Sequence, residues 1–313
     1  LTKVLHIGFS NPALGKAFRD TVDYRFIDWT DWTAIPNNIE NLHKYITKTS
    51  DDFSPDIIFM QIQSPGVITP EFIKTLPGLI INWTWDFRGN TPEWVMDLAP
   101  YCISAFTNEN DVYRVLMTGN KSVFLQSGFD HEIYKSDDDS DTVSESPEIV
   151  FMANNYPDDE KFPLSDYRID LVNTLKDIYG TRFGVYGFGW PGQNPLQSFM
   201  HRERKEAACY RSAKLAINLS HFVAKRYTSD RMLRILGSGT MCLSHWYPEI
   251  EKDFTDGTHL RVWNSTDDLI KLIDQYLADD SGREAIAASG CTHAHASYTW
   301  HNMVSQILKL LYI

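Results

Sequence analysis

Basic residues are scarce in this chain: 29 Lys and Arg stand against 41 Asp and Glu, a formal net charge of −12. Non-specific duplex binding rests on many phosphate contacts from Lys and Arg, so a long basic nucleic-acid groove is not expected. Cysteine is sparse as well. Cys102, Cys209, Cys242 and Cys291 form no C-x-x-C pair and no zinc-ligand spacing. They read as free thiols, mostly core, in a reducing compartment. No apolar run reaches membrane-spanning length, so no span is expected. The opening Lys3 to Phe9 reads as a strand and no signal peptide is visible, which points to the cytoplasm. A P-loop and a G-x-S-x-G elbow are both missing. Gly8-Phe-Ser-Asn-Pro-Ala-Leu-Gly15 is not a G-x-G-x-x-G fingerprint either.

What is present describes a folded protein. The 313 residues are 43% hydrophobic and 22% charged, enough for two domains of ordinary size. Aromatic residues reach 13%, with nine Trp. Their faces suit sugar rings and nucleobases, although most are expected in the core. Short β-branched runs alternate with amphipathic segments through the first half: strands at 3–9, 24–28, 56–61, 79–83, 102–107 and 122–126, with helices between them. Such runs, read as buried on both faces, predict a parallel α/β sheet. An acidic, Ser-rich stretch from Ser136 to Pro147 interrupts the pattern and reads as a linker. Its Asp137 and Asp139 have no flanking apolar wall, so a solvated charge run is preferred to a metal site. The alternation then restarts, with strands at 148–152, 182–186, 215–219, 240–244 and 260–263, and ends in three helices. The expected domains are 1–146 and 147–313, with the last helix available to pack back on the first. Open parallel sheets bind ligands at the carboxyl ends of their strands, so loops after strands are the places to look.

The densest chemical feature is Ala224-Lys-Arg-Tyr-Thr-Ser-Asp-Arg-Met-Leu-Arg-Ile-Leu-Gly-Ser-Gly-Thr240. Lys225, Arg226, Arg231 and Arg234 put four cations in ten residues of an acidic protein. Thr228 or Ser229 is placed to cap a helix whose free N–H groups favour an anion. Arg231 and Arg234 share a helical face. Two readings stand: a clamp for a diphosphate, or a solvated basic helix paired with surface carboxylates. After other strands come Asn154-Asn-Tyr156 and Gly187-Phe-Gly189, where glycine permits close approach to a ligand and an aromatic side chain is available to stack on a base, or the glycines simply form turns. In the first half, Asn82-Trp-Thr-Trp-Asp-Phe-Arg88 ends a strand. Asp86 is a candidate general base for an acceptor hydroxyl, or a structural partner of Arg88. Trp83 and Trp85 alternate, so at most one faces a cleft. Ser10 and Asn11 follow the first strand. His293-Ala-His295 lacks partner carboxylates for a metal and reads as a helix end.

These segments, in order, resemble the GT-B glycosyltransferases, in particular the group that includes the spore-coat CgeB-like proteins. Arg231 through Gly239 resembles an Arg-x-x-Glu-x-x-x-x-Gly segment, and Tyr247-Pro-Glu-Ile-Glu-Lys-Asp-Phe-Thr-Asp-Gly257 a Glu-x-x-Phe-x-Asp-Gly stretch. Ser265 to Leu277, Arg283 to Gly290, Thr299-Trp300 and, in the first half, Gln126-Ser-Gly-Phe-Asp130 match further segments. The resemblance implies an α/β chain of two Rossmann-like domains (GT-B) facing each other across a cleft. It also implies a nucleotide-sugar co-substrate, a UDP-sugar being favoured, held by the second domain, with no metal required. The expected donor side is Asn154, Tyr156, Gly187, Gly189, Lys225, Arg226, Tyr227, Thr228, Ser229, Arg231 and Arg234. The expected acceptor side is Ser10, Asn11, Trp85 and Arg88, with Asp86 catalytic. Arg234 departs from the family, which places a ribose-contacting Glu there; a guanidinium has donors only. A His found near Trp85-Asp86 in retaining relatives is absent.

The acceptor is not legible: a small molecule, a glycan, a protein or a modified DNA base all remain. For DNA, the segment His201-Arg-Glu-Arg-Lys205 would border the groove, and a flipped base would stack on aromatics. A non-catalytic two-lobed binding protein and a sugar-nucleotide epimerase of the same fold are the competing classes.

Overall fold

The computed structural model describes residues 1–33, 38–135, 147–157, 161–190 and 203–312. Asp137, Asp139, most of the acidic stretch and His201 lie outside them. The described chain divides into two compact units, Leu1–Gly128 with Trp300–Ile313, and Phe129–Thr299.

The first unit carries β1 (Lys3–Gly8), β2 (Asp23–Asp28), β3 (Ile57–Met60), β4 (Leu79–Thr84), β5 (Ile103–Phe106) and β6 (Ser122–Phe124). They form one parallel sheet in the order β2-β1-β3-β4-β5-β6. Between them run α1 (Pro12–Thr21), α2 (Thr30–Thr33), α3 (Ile39–Phe53), α4 (Pro70–Ile73), α5 (Glu93–Leu98) and α6 (Glu109–Leu116). Alternation along β1 explains the layering. Val4 joins Leu14, Phe18 and Ile57 on one face, while Leu5 and Ile7 join Leu42, Ile46 and Ile58 on the other. A strand buried on both faces needs helices on both, which is why its sequence is a continuous apolar run.

The second unit has β7 (Ile149–Met152), β8 (Phe183–Tyr186), β9 (Leu215–Asn218), β10 (Met241–His245) and β11 (Arg261–Trp263), again all parallel, in the order β11-β10-β9-β7-β8. Its helices are α7 (Ser165–Tyr179), α8 (Glu203–Ser212), α9 (Asp230–Gly237), α10 (Thr266–Ala278) and α11 (Asp280–Ser297). Ile149 and Phe151 face α7 and α10, whereas Val150 and Met152 face α8 and α9. The last helix, α12 (Trp300–Lys309), belongs to the first unit, where Met303, Val304 and Ile307 join its core.

The units part at Gly128, ahead of the boundary read at 146. Composition marks the acidic stretch, but packing decides earlier: Phe129 already bridges to Thr299 and lies in the second core beside Gly237. No described helix is long and apolar enough to cross a membrane. The four cysteines are free, and burial pushes the Cys102 thiol up to about 12.

One buried group makes the first unit acid-sensitive. His6, on β1, is 1% exposed, with Nδ1 2.9 Å from the Tyr24 hydroxyl and Nε2 2.6 Å from Gln61 Oε1. The amide oxygen only accepts, so Nε2 carries the hydrogen and the tyrosine donates to Nδ1. Burial pushes this imidazole down to about 4, against a small opposing pull from the Gln61 bond and Asp28. The unfolded chain therefore binds the proton first as pH falls. The contribution is complete above about pH 6.5 and is lost as pH drops to about 4, roughly 3 kcal/mol in all. Urea titrations across this range are expected to show the loss. A His6→Gln variant, which has no proton to gain, is expected to show a shallower slope.

Candidate functional site

Both sheets reverse their strand order at one place, and ligands bind open α/β sheets at that crevice. In the second unit β7 lies between β8 and β9, so the crevice opens beyond the carboxyl ends of β7 and β9. Arg231 spans it. Its Nε donates to the Met152 carbonyl at the end of β7 (2.8 Å), and its Nη1 to Asn218 Oδ1 (3.3 Å) and the Leu219 carbonyl (3.1 Å) at the end of β9.

Beneath it sits a second guanidinium that sequence reasoning missed. Arg168, on α7, is 0% exposed. Nη2 donates to the Asn154 carbonyl at 3.0 Å, and Nη1 lies against both ring nitrogens of His221, 2.6 Å from Nδ1. Nε has no partner. The carbons of both guanidiniums lie over the Phe151 ring, at 5.3 Å for Arg168 and 5.7 Å for Arg231, and Trp190 covers Arg168 at 5.4 Å. Among the described residues neither arginine has a carboxylate partner. Burial, and then the Arg231 charge, push Arg168 down. Burial followed by the two arginines pushes His221 down to about 3, so the free site holds it neutral. A signal for Arg168 did exist. Residues 165, 168, 172, 175 and 179 make the buried stripe of α7, and an arginine on an apolar stripe calls for a reason.

The remaining cations of the 224–240 segment are spoken for. Arg226 makes a two-pronged contact with Asp253 at 2.7 and 2.8 Å, and Lys225 lies 3.6 Å from Glu249. Arg234 joins Glu206 at 3.0 Å and Asp230 at 2.7 Å. The expected Arg231–Arg234 clamp therefore does not form, because Arg234 neutralises carboxylates on α8 and α9 instead. Nor is the start of α9 an open anion site. Asp230 Oδ1 accepts the Arg231 N–H at 2.8 Å, so the helix supplies its own carboxylate. Ser229 precedes α9 but makes no cap bond and donates to Asn218 Oδ1 at 2.8 Å. Thr228 is buried against the Tyr247 hydroxyl at 2.7 Å, and Tyr227 stands half-buried beside it.

Gly187 and Gly189 approach backbone, not open space. A Cβ on Gly187 would lie 2.2 Å from the Ala153 carbonyl oxygen, and one on Gly189 1.9 Å from that of Asn155. Both have positive φ, so glycine here seats the loop after β8 on the loop after β7. Asn154 helps, its Oδ1 accepting the Phe188 N–H at 3.2 Å. Tyr156 is 38% exposed and packs against Phe162, His221 and Phe188. His293 and His295 bond the carbonyls of Asp253 and Gly237 from α11.

In the first unit, Trp83 is buried with its indole N–H on the Leu125 carbonyl, while Trp85 is half-buried against Phe9 and Trp83. Asp86 and Arg88 are exposed on the loop after β4, and Arg88 Nη2 donates to the Gln63 carbonyl at 3.0 Å. Ser10 is exposed with its N–H on Asp28. Asn11 is spent as the cap of α1, accepting the Leu14 N–H at 3.0 Å.

With this geometry in place, the likeness to known proteins is informative. HepE of Anabaena, solved with UDP-glucose, superposes with a TM-score of 0.66 at 12% identity over 100% of both chains. Sucrose-phosphate synthase of Thermosynechococcus elongatus superposes with 0.62 at 10% identity, covering 99% of this chain and 98% of the other. The chain has the GT-B fold. A family model described as glycosyl transferase-like matches residues 168–309, so this segment of the GT-B chain runs from the buried Arg168 to the end of α12. No curated protein sequence matches significantly. The fold is wider than one reaction. A protein assigned as a UDP-N-acetylglucosamine 2-epimerase of Listeria monocytogenes also superposes, with a TM-score of 0.56 at 11% identity over 98% of this chain and 94% of the other. The reaction must therefore be argued from the site.

Proposed function

We propose that this chain transfers a sugar from a nucleoside-diphosphate sugar, a UDP-sugar by preference, to a hydroxyl acceptor. One observation carries the reading. A chain of net charge −12 places two arginines that have no ion-paired carboxylate among the described residues at the strand-order reversal of its second sheet. Asp230 and Glu206 feel the Arg231 charge only at a distance, and a cation pair with no ion-pair contact at a ligand crevice favours an anionic ligand. Arg231, half-buried at the rim, is the direct contact for diphosphate oxygens. Arg168, behind it, adds positive potential where little water screens it. Charge develops on the departing diphosphate as the bond to the anomeric carbon breaks, so fixed cations there lower the barrier. In this reading the guanidiniums do the work of a divalent cation, and none is required. Asp86, exposed after β4 of the first unit, is the proposed base for the acceptor hydroxyl, with Trp85 beside it to receive a sugar face. HepE's complex with UDP-glucose supports the choice of UDP.

Calorimetric titration with UDP-, GDP-, ADP- and dTDP-glucose tests the donor. Binding by at least one is expected, with UDP-glucose tightest; binding by none overturns the reading. Release of UDP with and without acceptors separates a transferase from a binding protein. A mass gain on hydroxymethylated DNA would assign a modified base as acceptor.

A further inference from the structure

His221 packs on the buried charge just beyond the carboxyl end of β9. It follows β9, and its ring lies against Arg168 Nη1. Its other faces meet Tyr156 at 5.3 Å and Phe162 at 4.9 Å between ring centroids. Its carbonyl accepts the Leu164 N–H at 3.3 Å, which fixes the loop against the start of α7. The charged groups that act on the ring are Arg168 from α7 and Arg231 from α9, both cationic; the phenol of Tyr156 faces it from the loop after β7. Among the described residues, the imidazole thus stands beside two positive charges with no carboxylate acting on it.

We propose that His221 takes up one proton from solvent when the donor diphosphate binds, and that the imidazolium so formed becomes a third cation on the diphosphate. The proposal rests on the donor-site reading above. In the free protein the ring is neutral and accepts from Arg168, because burial, and after it the two guanidinium charges, disfavours the charged form. An arriving diphosphate reverses the balance. Its negative charges offset both guanidiniums. The proton enters at the ring nitrogen that accepts from Arg168, so that bond breaks, and the Arg168 N–H and the new ring N–H both turn to phosphate oxygens. Burial still opposes protonation, but the charge now has a partner whose attraction outweighs it. His221 acts here as a positioning and charge-balancing group. It registers that the crevice holds an anion, which Arg168 cannot do because a guanidinium keeps its proton throughout.

The test is calorimetry of UDP-glucose, or of whichever of the four donors binds, in two buffers of different ionisation enthalpy. A sugar nucleotide is substituted at both ends of its diphosphate and has no phosphate proton to exchange in this range, so any proton counted belongs to the protein. At about pH 6 the wild type is expected to take up nearly one proton per donor, falling toward none by about pH 8. His221→Gln keeps a polar planar group but does not titrate. It is expected to bind with no proton uptake, about tenfold more weakly at pH 6 and close to wild type at pH 8. Asn at the same position provides a second, smaller substitute if the Gln variant folds poorly. Binding without buffer dependence in the wild type overturns the proposal and leaves the donor site standing. Undiminished uptake in a folded variant also overturns it. Failure of every donor to bind removes the donor site and this inference together.

Discussion

Replacing Arg231 with alanine is expected to lower kcat/KM by about 10²–10³-fold, the usual cost of losing one charged contact to a developing anion. The fold is expected to tolerate the change. Arg231 spends its hydrogen bonds on two backbone carbonyls and the Asn218 amide, with no carboxylate to strand. Arg168 carries the sharper form of the same prediction. A fully buried cation with no ion-paired carboxylate among the described residues is a standing cost to the fold; replacing even paired buried charges by apolar groups stabilises by about 1–4 kcal/mol in favourable cases. Arg168→Met, which keeps the length and packs on Phe151 and Trp190, is therefore expected to raise the urea midpoint while weakening the donor at least thirtyfold, or about 2 kcal/mol. Opposite signs for stability and binding are the mark of a charge retained for its ligand. A variant less stable than wild type that still binds the donor would show that Arg168 is a structural residue.

Arg234→Ala is expected to behave in the reverse way. This side chain, three positions along the same helix, is the counter-charge to Glu206 and Asp230. Glu206 is 7% exposed, and burial already pushes its carboxyl up. Removing the guanidinium leaves that carboxylate buried without its ion-pair partner, with the Tyr134 hydroxyl still donating to it at 3.3 Å, a loss of about 3 kcal/mol. This is the low end of the range, because the Arg234 side chain is 26% exposed. Donor affinity of the folded fraction is expected to change little. Glu206→Gln with Arg234→Met should recover much of the loss, since the pair leaves together. Thermal unfolding of the two singles and the double gives the coupling directly. A large drop in donor affinity, with stability unchanged, would return Arg234 to the ligand.

The contrast between these two arginines shows where sequence reading reached its limit. Arg231 and Arg234 share a helical face by spacing alone, and spacing placed both on one anion. Their partners come from elsewhere in the chain. Glu206 sits on α8, a helix for which the sequence reading named no element; only its basic lead-in drew attention, although Ala207 to Tyr210 bury against the core. Asp253, which holds Arg226, lies 27 residues further on. The glycines after β8 read in the sequence as permitting close approach of a ligand, or as turns; what approaches them in the structure is the protein's own loop after β7. Asn11 illustrates a milder case, a loop residue after the first strand whose side chain serves as a helix cap.

The sequence by itself determined the alternation of strands and helices, the parallel sheets and the segment around Arg231. Each of these depends on local periodicity, on burial of β-branched runs or on a cluster of charges close along the chain. Only the tertiary structure decided which cations lack a carboxylate among the described residues, and that Arg168 and His221 lie against one another beside Arg231. Neutralisation is a matter of distance in space. Arg168 and Arg231 meet over one phenylalanine ring because β7 and β9 are neighbours in the sheet, though 63 residues of sequence separate the two arginines.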